Sequence, residues 1–197
     1  MLNHIRPAVV MIALFTGVLG VAYPFAVTGV AQTVFSEQAD GSLVRDADGT
    51  VRASLLVAQP FTGDGYFQTR PSAASYDPMA AAGSNMARSN PALQQRVQAA
   101  ITAVAAREGV PAAQVPGDLV TQSGAGMDPE ISPAAAQVQI ARVARSRSLP
   151  VERVAALVQA NTRGPQWGVF GQPRVNVMTL NVALDAQQGT ARLYGMP

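Results

Sequence analysis

The stretch PAVVMIALFTGVLGVAYPFAVTGVAQTVFS, residues 7–36, contains no charged side chain. Arg6 precedes it, and Glu37 is the first charged residue after it. A helix over residues 8–30 would be about 34 Å long at ~1.5 Å per residue, which is enough to cross a hydrocarbon core of ~30 Å. The stretch therefore predicts a single N-terminal membrane-spanning helix.

A cleaved signal peptide is the alternative interpretation of this stretch, because Gly29 and Ala31 offer small residues at the spacing of a cleavage site. The length of the apolar run exceeds the ~7–15 residues of a signal h-region and favours an uncleaved anchor. Arg6 and His4 flank the span on its N-terminal side, so the positive-inside rule places the N-terminus in the cytoplasm. We therefore expect residues 1–36 to be a cytoplasmic stub and a transmembrane helix, and residues 37–197 to be an extracytoplasmic domain.

Pro24, Tyr23 and Thr28 are among the residues that interrupt the apolar character of the span. Pro24 is expected to kink the helix, since proline lacks a backbone N–H and crowds the preceding turn. Tyr23 and Thr28 offer polar contacts to neighbouring transmembrane helices. Tyr23 and Pro24 are therefore candidate interface residues within the membrane.

The composition excludes several classes of protein. Only 13% of the 197 residues are charged, the net charge is +2, and all 14 basic residues are arginine. Such a chain lacks the basic stripe that nucleic-acid binding needs. Cysteine is absent, which excludes disulfides and thiolate zinc sites.

Patterns of both helix and strand follow the apolar stretch and predict one compact α+β domain. Residues 42–52 resemble a hairpin closed by Asp48-Gly49, and the strand after it is expected to continue to about Ala58. The β-branched run RVNVMTLNVAL, residues 174–184, predicts a central strand. Helices are predicted over residues 91–108, 133–148 and 151–161, with these inward faces: Leu93, Val97, Ile101 and Val104; Ala136, Ile140, Val143 and Ala144; Val151, Val154, Leu157 and Val158.

The loop GSNMARSNP, residues 83–91, leads into the first of these helices. Asn90 is a suitable N-cap and Pro91 a suitable first helical residue, while Gly109 marks the end of the helix. Ser132 and Pro133 repeat the device before the next helix. The loop therefore begins a helix, and its remaining side-chain hydroxyls and amides are available to contact a partner.

Few residues after the span could serve as catalytic groups. A serine nucleophile needs a histidine or lysine base, but lysine is absent and the only histidine is His4. A glycosidase with two carboxylates remains open, because carboxyl separation is set by the fold, and Asp118 with Asp128 or Glu130 would be its pair. Capping and turn roles are the simpler interpretation of these acids. No metal-ligand spacing or phosphate loop is present in the sequence.

Long motifs in chain order resemble the C subunit of the Kdp potassium-transporting P-type ATPase. They are GSL at 41–43, QPF and GYFQTRPSAASYDP within 59–78, GSNMARSNPAL at 83–93, VPGDLVTQSGAGMDPEISPAAAQVQIARVAR at 115–145, and GQPRVNVMTLNVALD at 171–185. The resemblance covers nearly the whole chain and includes the single N-terminal span. It implies a location in the bacterial inner membrane.

The resemblance implies a complex with a channel-like potassium-binding subunit, a P-type ATPase subunit and a small single-span subunit. This chain would be an accessory subunit without its own catalytic centre, needed for assembly and activity. It would act as a catalytic chaperone that raises the ATP affinity of the hydrolysing subunit, and no cofactor would be bound tightly. Gln139 matches a glutamine that a nucleotide contact would use, whereas topology favours its interpretation as an exposed helix glutamine outside the cytoplasm.

Loop residues outside the span complete the candidate partner interface: Arg70, Ser84, Asn85, Ser89 and Asn90. An alternative function is a membrane-anchored periplasmic module that binds a small ligand. Arg70 or Arg174 would then hold an anion. The serines and prolines around Arg70 also fit a simpler role, in which this side chain ties down a loop.

Overall fold

A computed structural model describes residues 2–45 and 49–187 of the chain. The chain divides into two compact units, residues 1–43 and residues 44–197. The predicted boundary at residues 36 and 37 stays a prediction. Asp48, which was expected to close the first hairpin, lies outside the described residues.

The first unit is dominated by one long apolar helix, Ile5–Val34, of 30 residues with a mean hydropathy of 2.1. It consists of α1 (Ile5–Phe15), a π-helical segment (Thr16–Ala22) and α2 (Tyr23–Val34), after a 3₁₀ turn at Leu2–His4. A short helix, α3 (Ser36–Ala39), follows. Length and composition make Ile5–Val34 the one candidate membrane span in the described part of the chain.

Pro24 explains the π-helical segment. Proline has no N–H to donate and its ring crowds the carbonyl four residues earlier, which is that of Gly20. The helix widens immediately before the proline, and the Tyr23 N–H donates to the Val18 carbonyl, five residues back. The disturbance expected at Pro24 therefore takes the form of a widened turn.

Among its described residues, the second unit contains four α-helices: α4 (Pro91–Glu108), α5 (Pro133–Arg147), α6 (Val151–Ala160) and α7 (Val177–Gln187). The predicted caps of α4 and α5 are confirmed, since Asn90 Oδ1 accepts from the Ala92 N–H at 2.9 Å and Ser132 Oγ accepts from the Ala135 N–H at 3.0 Å. Gly109 ends α4 with a φ of +69°. Short 3₁₀ turns occupy Pro78–Ala80, Ala112–Gln114 and Gly117–Leu119.

The core lies mainly on the predicted inward faces. All four predicted residues of α5 are buried, as are Val104, Val154 and Val158. Leu93, Val97, Ile101 and Leu157 are half-buried. Val151 was predicted to point inward, but it is half exposed in the first turn of α6, so this prediction is wrong.

The described residues also form two small sheets. Strands β1 (Leu43–Arg45) and β2 (Val51–Ser54) pair with each other. The other sheet places β5 (Arg174–Asn176) between β3 (Glu130–Ile131) and β4 (Thr162–Arg163), antiparallel to both. Strand β2 ends before the predicted Ala58, because the Leu56 N–H turns back to donate to Ser54 Oγ at 3.1 Å.

The predicted strand over residues 174–184 is correct only for β5. From Val177 the chain forms α7, and Asn176 Oδ1 begins the helix by accepting from the Thr179 N–H at 3.1 Å. The inward side of α7 is helical in spacing: Val177, Met178, Leu180, Asn181, Leu184 and Asp185 are buried. Helical packing thus overrides the strand preference of the β-branched residues.

Candidate functional site

The chain from Asp64 to Thr69, hereafter the clamped segment, is held by side-chain amides from two helices. Asn181 of α7 accepts from the Phe67 N–H at 2.9 Å and donates to the Phe67 carbonyl at 3.0 Å. Gln139 of α5 accepts from the Gln68 N–H at 2.7 Å and donates to the Gln68 carbonyl at 3.2 Å. Each amide pairs with both backbone groups of one residue, as a neighbouring strand would. The segment is therefore fixed without belonging to a sheet.

Gln139 is completely buried, so its interpretation as an exposed helix glutamine is wrong. Its Nε2 group donates a second hydrogen bond to the Ala135 carbonyl at 3.1 Å. Its Oε1 atom accepts a second one from Arg142 Nη2 at 2.9 Å. Two donors and two acceptors are the full capacity of a glutamine amide. The nucleotide contact suggested for Gln139 stays a prediction, and this arrangement leaves the side chain no free hydrogen-bonding group.

Arg142 links the clamped segment to α4 through a buried ion pair. Its Nε donates to Glu108 Oε2 at 2.9 Å, and the Glu108 side chain has no exposed surface. Its Nη1 donates to the carbonyls of Asp64 at 2.6 Å and Tyr66 at 2.9 Å. Arg107 supplies a second, partly exposed partner for Glu108 at 2.6 Å. Buried charges with this many partners join α4, α5 and the segment.

A second ionic group fixes the start of the clamped segment to α7. Arg147 Nη2 lies 2.7 Å from Asp185 Oδ1, and Arg147 Nε donates to the Gly65 carbonyl at 2.5 Å. The guanidinium carbon lies 4.5 Å from the centre of the Tyr66 ring, which is a cation–π contact. The Tyr66 hydroxyl in turn donates to Asp185 Oδ2 at 3.3 Å.

This environment predicts a loss of stability in alkaline solution. Burial raises the pKa of Tyr66 above the ordinary value of 10.0, the Asp185 carboxylate raises it further, and Arg147 lowers it. At alkaline pH the folded protein therefore retains the Tyr66 proton at pH values at which the unfolded chain has released it. The stability that this hydroxyl contributes is fully present below pH 10.0 and is lost as the pH rises through the pKa of the folded state. Urea unfolding of the wild type and the Tyr66→Phe variant is the measurement. We expect a steeper alkaline decline in the wild type; equal declines would contradict the assignment.

Three loops, residues 70–77, 82–86 and 121–128, lie together and are called the loop platform below; Arg70 ties the first of them to the third. Its Nη1 forms an ion pair with Asp128 Oδ2 at 2.9 Å. Its Nη2 lies 3.5 Å from the Thr121 carbonyl and 3.4 Å from the Gln122 carbonyl, at the long limit for hydrogen bonds. The structure therefore places Arg70 in the loop-tying role.

The loop platform is tightly packed. A Cβ atom added at Gly83 would lie 2.9 Å from the Gly124 carbonyl oxygen, and one added at Gly126, whose φ is +72°, would lie 2.9 Å from Ser72 Oγ. Ser72 Oγ accepts from the Tyr76 N–H at 2.9 Å, and the Tyr76 hydroxyl donates to the Arg70 carbonyl at 2.8 Å. The platform therefore has the fixed shape that a docking surface requires.

The other predicted interface residues occupy different places. Asn85 and Ser89 are exposed, while Ser84 and Asn90 are half-buried in the loop that leads into α4. Ser84 and Asn85 belong to the loop platform, whereas Ser89 and Asn90 lie beyond it at the start of α4. Tyr23 and Pro24 are exposed in the first unit. Their roles in partner binding stay predictions.

The candidate carboxylates all have structural hydrogen bonds. Asp118 accepts from the Ser132 N–H at 2.6 Å and from the Ser132 hydroxyl at 3.2 Å. Asp128 accepts from the Glu130 N–H at 3.0 Å as well as pairing with Arg70. Glu130 pairs with Arg174 at 2.8 Å. Within residues 2–45 and 49–187, no three His, Cys, Asp or Glu residues are placed to share a metal ion.

Sequence reasoning missed most of the buried polar residues that hold the clamped segment. A usable signal was present, because Gln139 and Arg142 lie three residues apart, and Asn181 and Asp185 lie four apart, on otherwise apolar helix faces. Polar residues in such a stripe are hydrogen-bonded when buried. Nothing near these residues in the sequence indicates which backbone groups they bind, since the clamped segment lies 71 or more residues away along the chain.

Comparison with known proteins agrees with the long motifs. The family described as "K+-transporting ATPase, c chain" matches residues 5–186. A potassium-transporting ATPase KdpC subunit from Xanthomonas oryzae pv. oryzae is 60% identical over 176 residues, which are 89% of this chain and 84% of the relative. The KdpC subunit from Caulobacter vibrioides strain NA1000 is 52% identical over 189 residues, 95% of each chain. The chain therefore belongs to the KdpC family, the c chain of the K+-transporting ATPase.

Proposed function

We propose that this chain is a membrane-anchored accessory subunit that assembles and activates an ATP-driven potassium importer of the bacterial inner membrane. The family membership supports the potassium pump, and the apolar helix Ile5–Val34 supports the anchor. Arg6 favours a cytoplasmic N-terminus and an extracytoplasmic second unit. The proposed partners are a channel-like potassium-binding subunit, a P-type ATPase subunit and a small single-span subunit.

The burial of Gln139 is the observation that supports an indirect mode of activation. Its amide is fully used in holding the clamped segment and Arg142. An ATP molecule would have to displace buried hydrogen bonds to reach it, which costs free energy. We therefore propose that the chain acts as a catalytic chaperone, raising the ATP affinity of the hydrolysing subunit through contacts within the complex rather than through Gln139.

The chain's carboxylates support a non-catalytic role. Asp118, Asp128 and Glu130 each bind a backbone N–H or an arginine of their own chain. A glycosidase pair needs carboxyl groups that face a substrate, one of them able to donate a proton to it. Their use as caps and loop ties fits a scaffold.

Two linked contacts would raise the affinity of the chain for the complex. The span would bind the membrane subunits, and the loop platform would bind the outer surface of the channel-like subunit. Once one contact forms, the other becomes intramolecular, and the effective concentration raises the overall affinity. The rigidity of the loop platform would also raise the affinity, because a preformed surface loses little conformational entropy on binding.

Co-purification tests this proposal. The chain is tagged at its C-terminus, extracted gently from membranes of potassium-starved cells, and every accompanying polypeptide is identified. We expect a channel-like protein together with a P-type ATPase chain. Recovery of the tagged chain alone, from cells shown to make both partners, would contradict the proposal.

A further inference from the structure

Residues 165–171, hereafter the aromatic turn, present three large apolar side chains to the surface. Trp167 is 83% exposed, Val169 is 76% exposed and Phe170 is 60% exposed. The rings of Trp167 and Phe170 meet edge to face with their centres 6.0 Å apart, so they form one continuous apolar tip. An apolar tip of this kind is a typical interaction site.

The aromatic turn is preformed. The Gln166 N–H donates to the Phe170 carbonyl at 2.7 Å, and the Phe170 N–H donates to the Gln166 carbonyl at 3.0 Å. Trp167 has a φ of +54°, a left-handed conformation that is costly for a bulky residue. The turn therefore holds its largest apolar side chain outward at a conformational cost, which is a pattern associated with functional sites.

The sequence on both sides of the turn is basic and suits lipid phosphate. No acidic residue occurs between Glu152 and Asp185 in the sequence, whereas Arg163 and Arg174 flank the turn. Arg174 pairs with Glu130, but Arg163 is exposed two residues before Pro165. A tryptophan and a phenylalanine beside an exposed arginine is the combination found at membrane–water interfaces.

The chain connection keeps the second unit near the bilayer if the apolar helix spans it. Val44, the first residue of that unit, follows Val34, the last residue of the helix, by ten positions. Even a fully extended chain of this length reaches no more than about 36 Å. A surface within this distance is presented to the unit at high effective concentration.

We propose that the aromatic turn inserts into the interfacial region of the bilayer leaflet that faces the second unit. Trp167, Val169 and Phe170 would bury their apolar surface among the acyl chains, while Arg163 contacts lipid phosphate. The inference rests on the proposed function, because it requires Ile5–Val34 to span the membrane. The insertion would give the second unit an additional attachment to the membrane.

Trp167 is the only tryptophan of the chain and serves as its own probe. The full chain is reconstituted into vesicles of phosphatidylethanolamine and phosphatidylglycerol. Trp167 fluorescence is then compared between vesicles whose lipids carry bromine near the headgroup end of the acyl chains and vesicles without bromine. We expect Trp167 emission at shorter wavelength than in detergent, with about half of it lost to the brominated lipid, as for an interfacial tryptophan. Val169→Asp should reduce the quenching several-fold, whereas Leu56→Ser, at another exposed apolar residue, should leave it unchanged.

The outcomes separate this inference from the proposed function. Resistance of the chain to alkaline extraction is measured on the same vesicles. A chain that resists extraction but whose Trp167 stays accessible to acrylamide overturns the insertion and leaves the anchor intact. A chain that washes off overturns the anchor and the insertion together. Protection of Trp167 only when the other subunits are coexpressed also overturns lipid insertion, because it assigns the turn to a protein partner.

Discussion

Replacement of Gln139 by leucine is expected to lower the free energy of unfolding by about 2–5 kcal/mol, because it leaves several buried polar groups without partners. The Gln68 N–H and carbonyl lose the amide that pairs with them, and Arg142 Nη2 loses an acceptor. Leucine has a similar volume, so the loss reflects hydrogen bonding more than packing. The measurement is urea unfolding of the full chain in detergent, followed by circular dichroism.

Gln137 provides the matched control for Gln139. It lies on the same helix but is exposed, so Gln137→Leu should change the free energy of unfolding by less than about 0.5 kcal/mol. Equal stabilities of the Gln137→Leu and Gln139→Leu variants would show that the clamp contributes nothing. The same result would remove the structural argument against a nucleotide contact at Gln139.

Replacement of Arg142 by methionine is expected to cost about 3–5 kcal/mol, since removal of one member of a buried ion pair leaves the other charge buried. Glu108 would keep only the partly exposed Arg107, and the carbonyls of Asp64 and Tyr66 would lose their donor. Unfolding in urea under the same conditions measures the effect. We expect the clamped segment to loosen as well, which hydrogen exchange at Phe67 and Gln68 would detect.

Arg145→Met is the control, because Arg145 is exposed one turn further along α5. The double variant Arg142→Met, Glu108→Met adds a second test. It removes both buried charges and should recover part of the loss seen in Arg142→Met alone. A double variant that is destabilised by the full sum of the two single changes would argue that the ion pair is not coupled.

Much of the helical framework could be predicted from local patterns. Asn90 and Ser132 are caps followed by proline, and the apolar spacing of Val97, Ile101 and Val104 recurs with the helical period. These signals lie within one or two turns of the residues that they position. The helix Ile5–Val34 is predictable for a similar reason, because a 30-residue stretch with a mean hydropathy of 2.1 would need no tertiary partner to form a helix in lipid.

The run from Arg174 to Leu184 shows where local patterns fail. Its valines favour a strand, and β5 does form, but α7 is selected by buried contacts that the run does not contain. Asn181 is an example, because its amide pairs with Phe67, 114 residues away. Burying a polar side chain is costly unless it is hydrogen-bonded, so a polar residue inside an apolar run does not by itself predict a buried helix face. The hydrogen bonds to Phe67 make the burial of Asn181 favourable.

The candidate site divides in the same way. Arg70 could be assigned to a loop from the prolines and serines beside it, and the structure supplies its partner Asp128. Gln139 lies at helical spacing from the apolar residues Ala136 and Val143, so its face could be recognised from the sequence, whereas its hydrogen-bond partners could not. The backbone that Gln139 binds is contributed by residues far away in sequence, and such pairs carry no local signal.

We propose that this chain activates the ATP-hydrolysing subunit of a potassium pump from outside the nucleotide site. The most direct measurement is potassium-stimulated ATP hydrolysis, over a range of ATP concentrations, by the purified complex with and without the chain. We expect hydrolysis to be lost, or to need much more ATP, when the chain is absent, and to be restored when the full chain is added. Unchanged hydrolysis and unchanged ATP dependence without the chain would contradict this role.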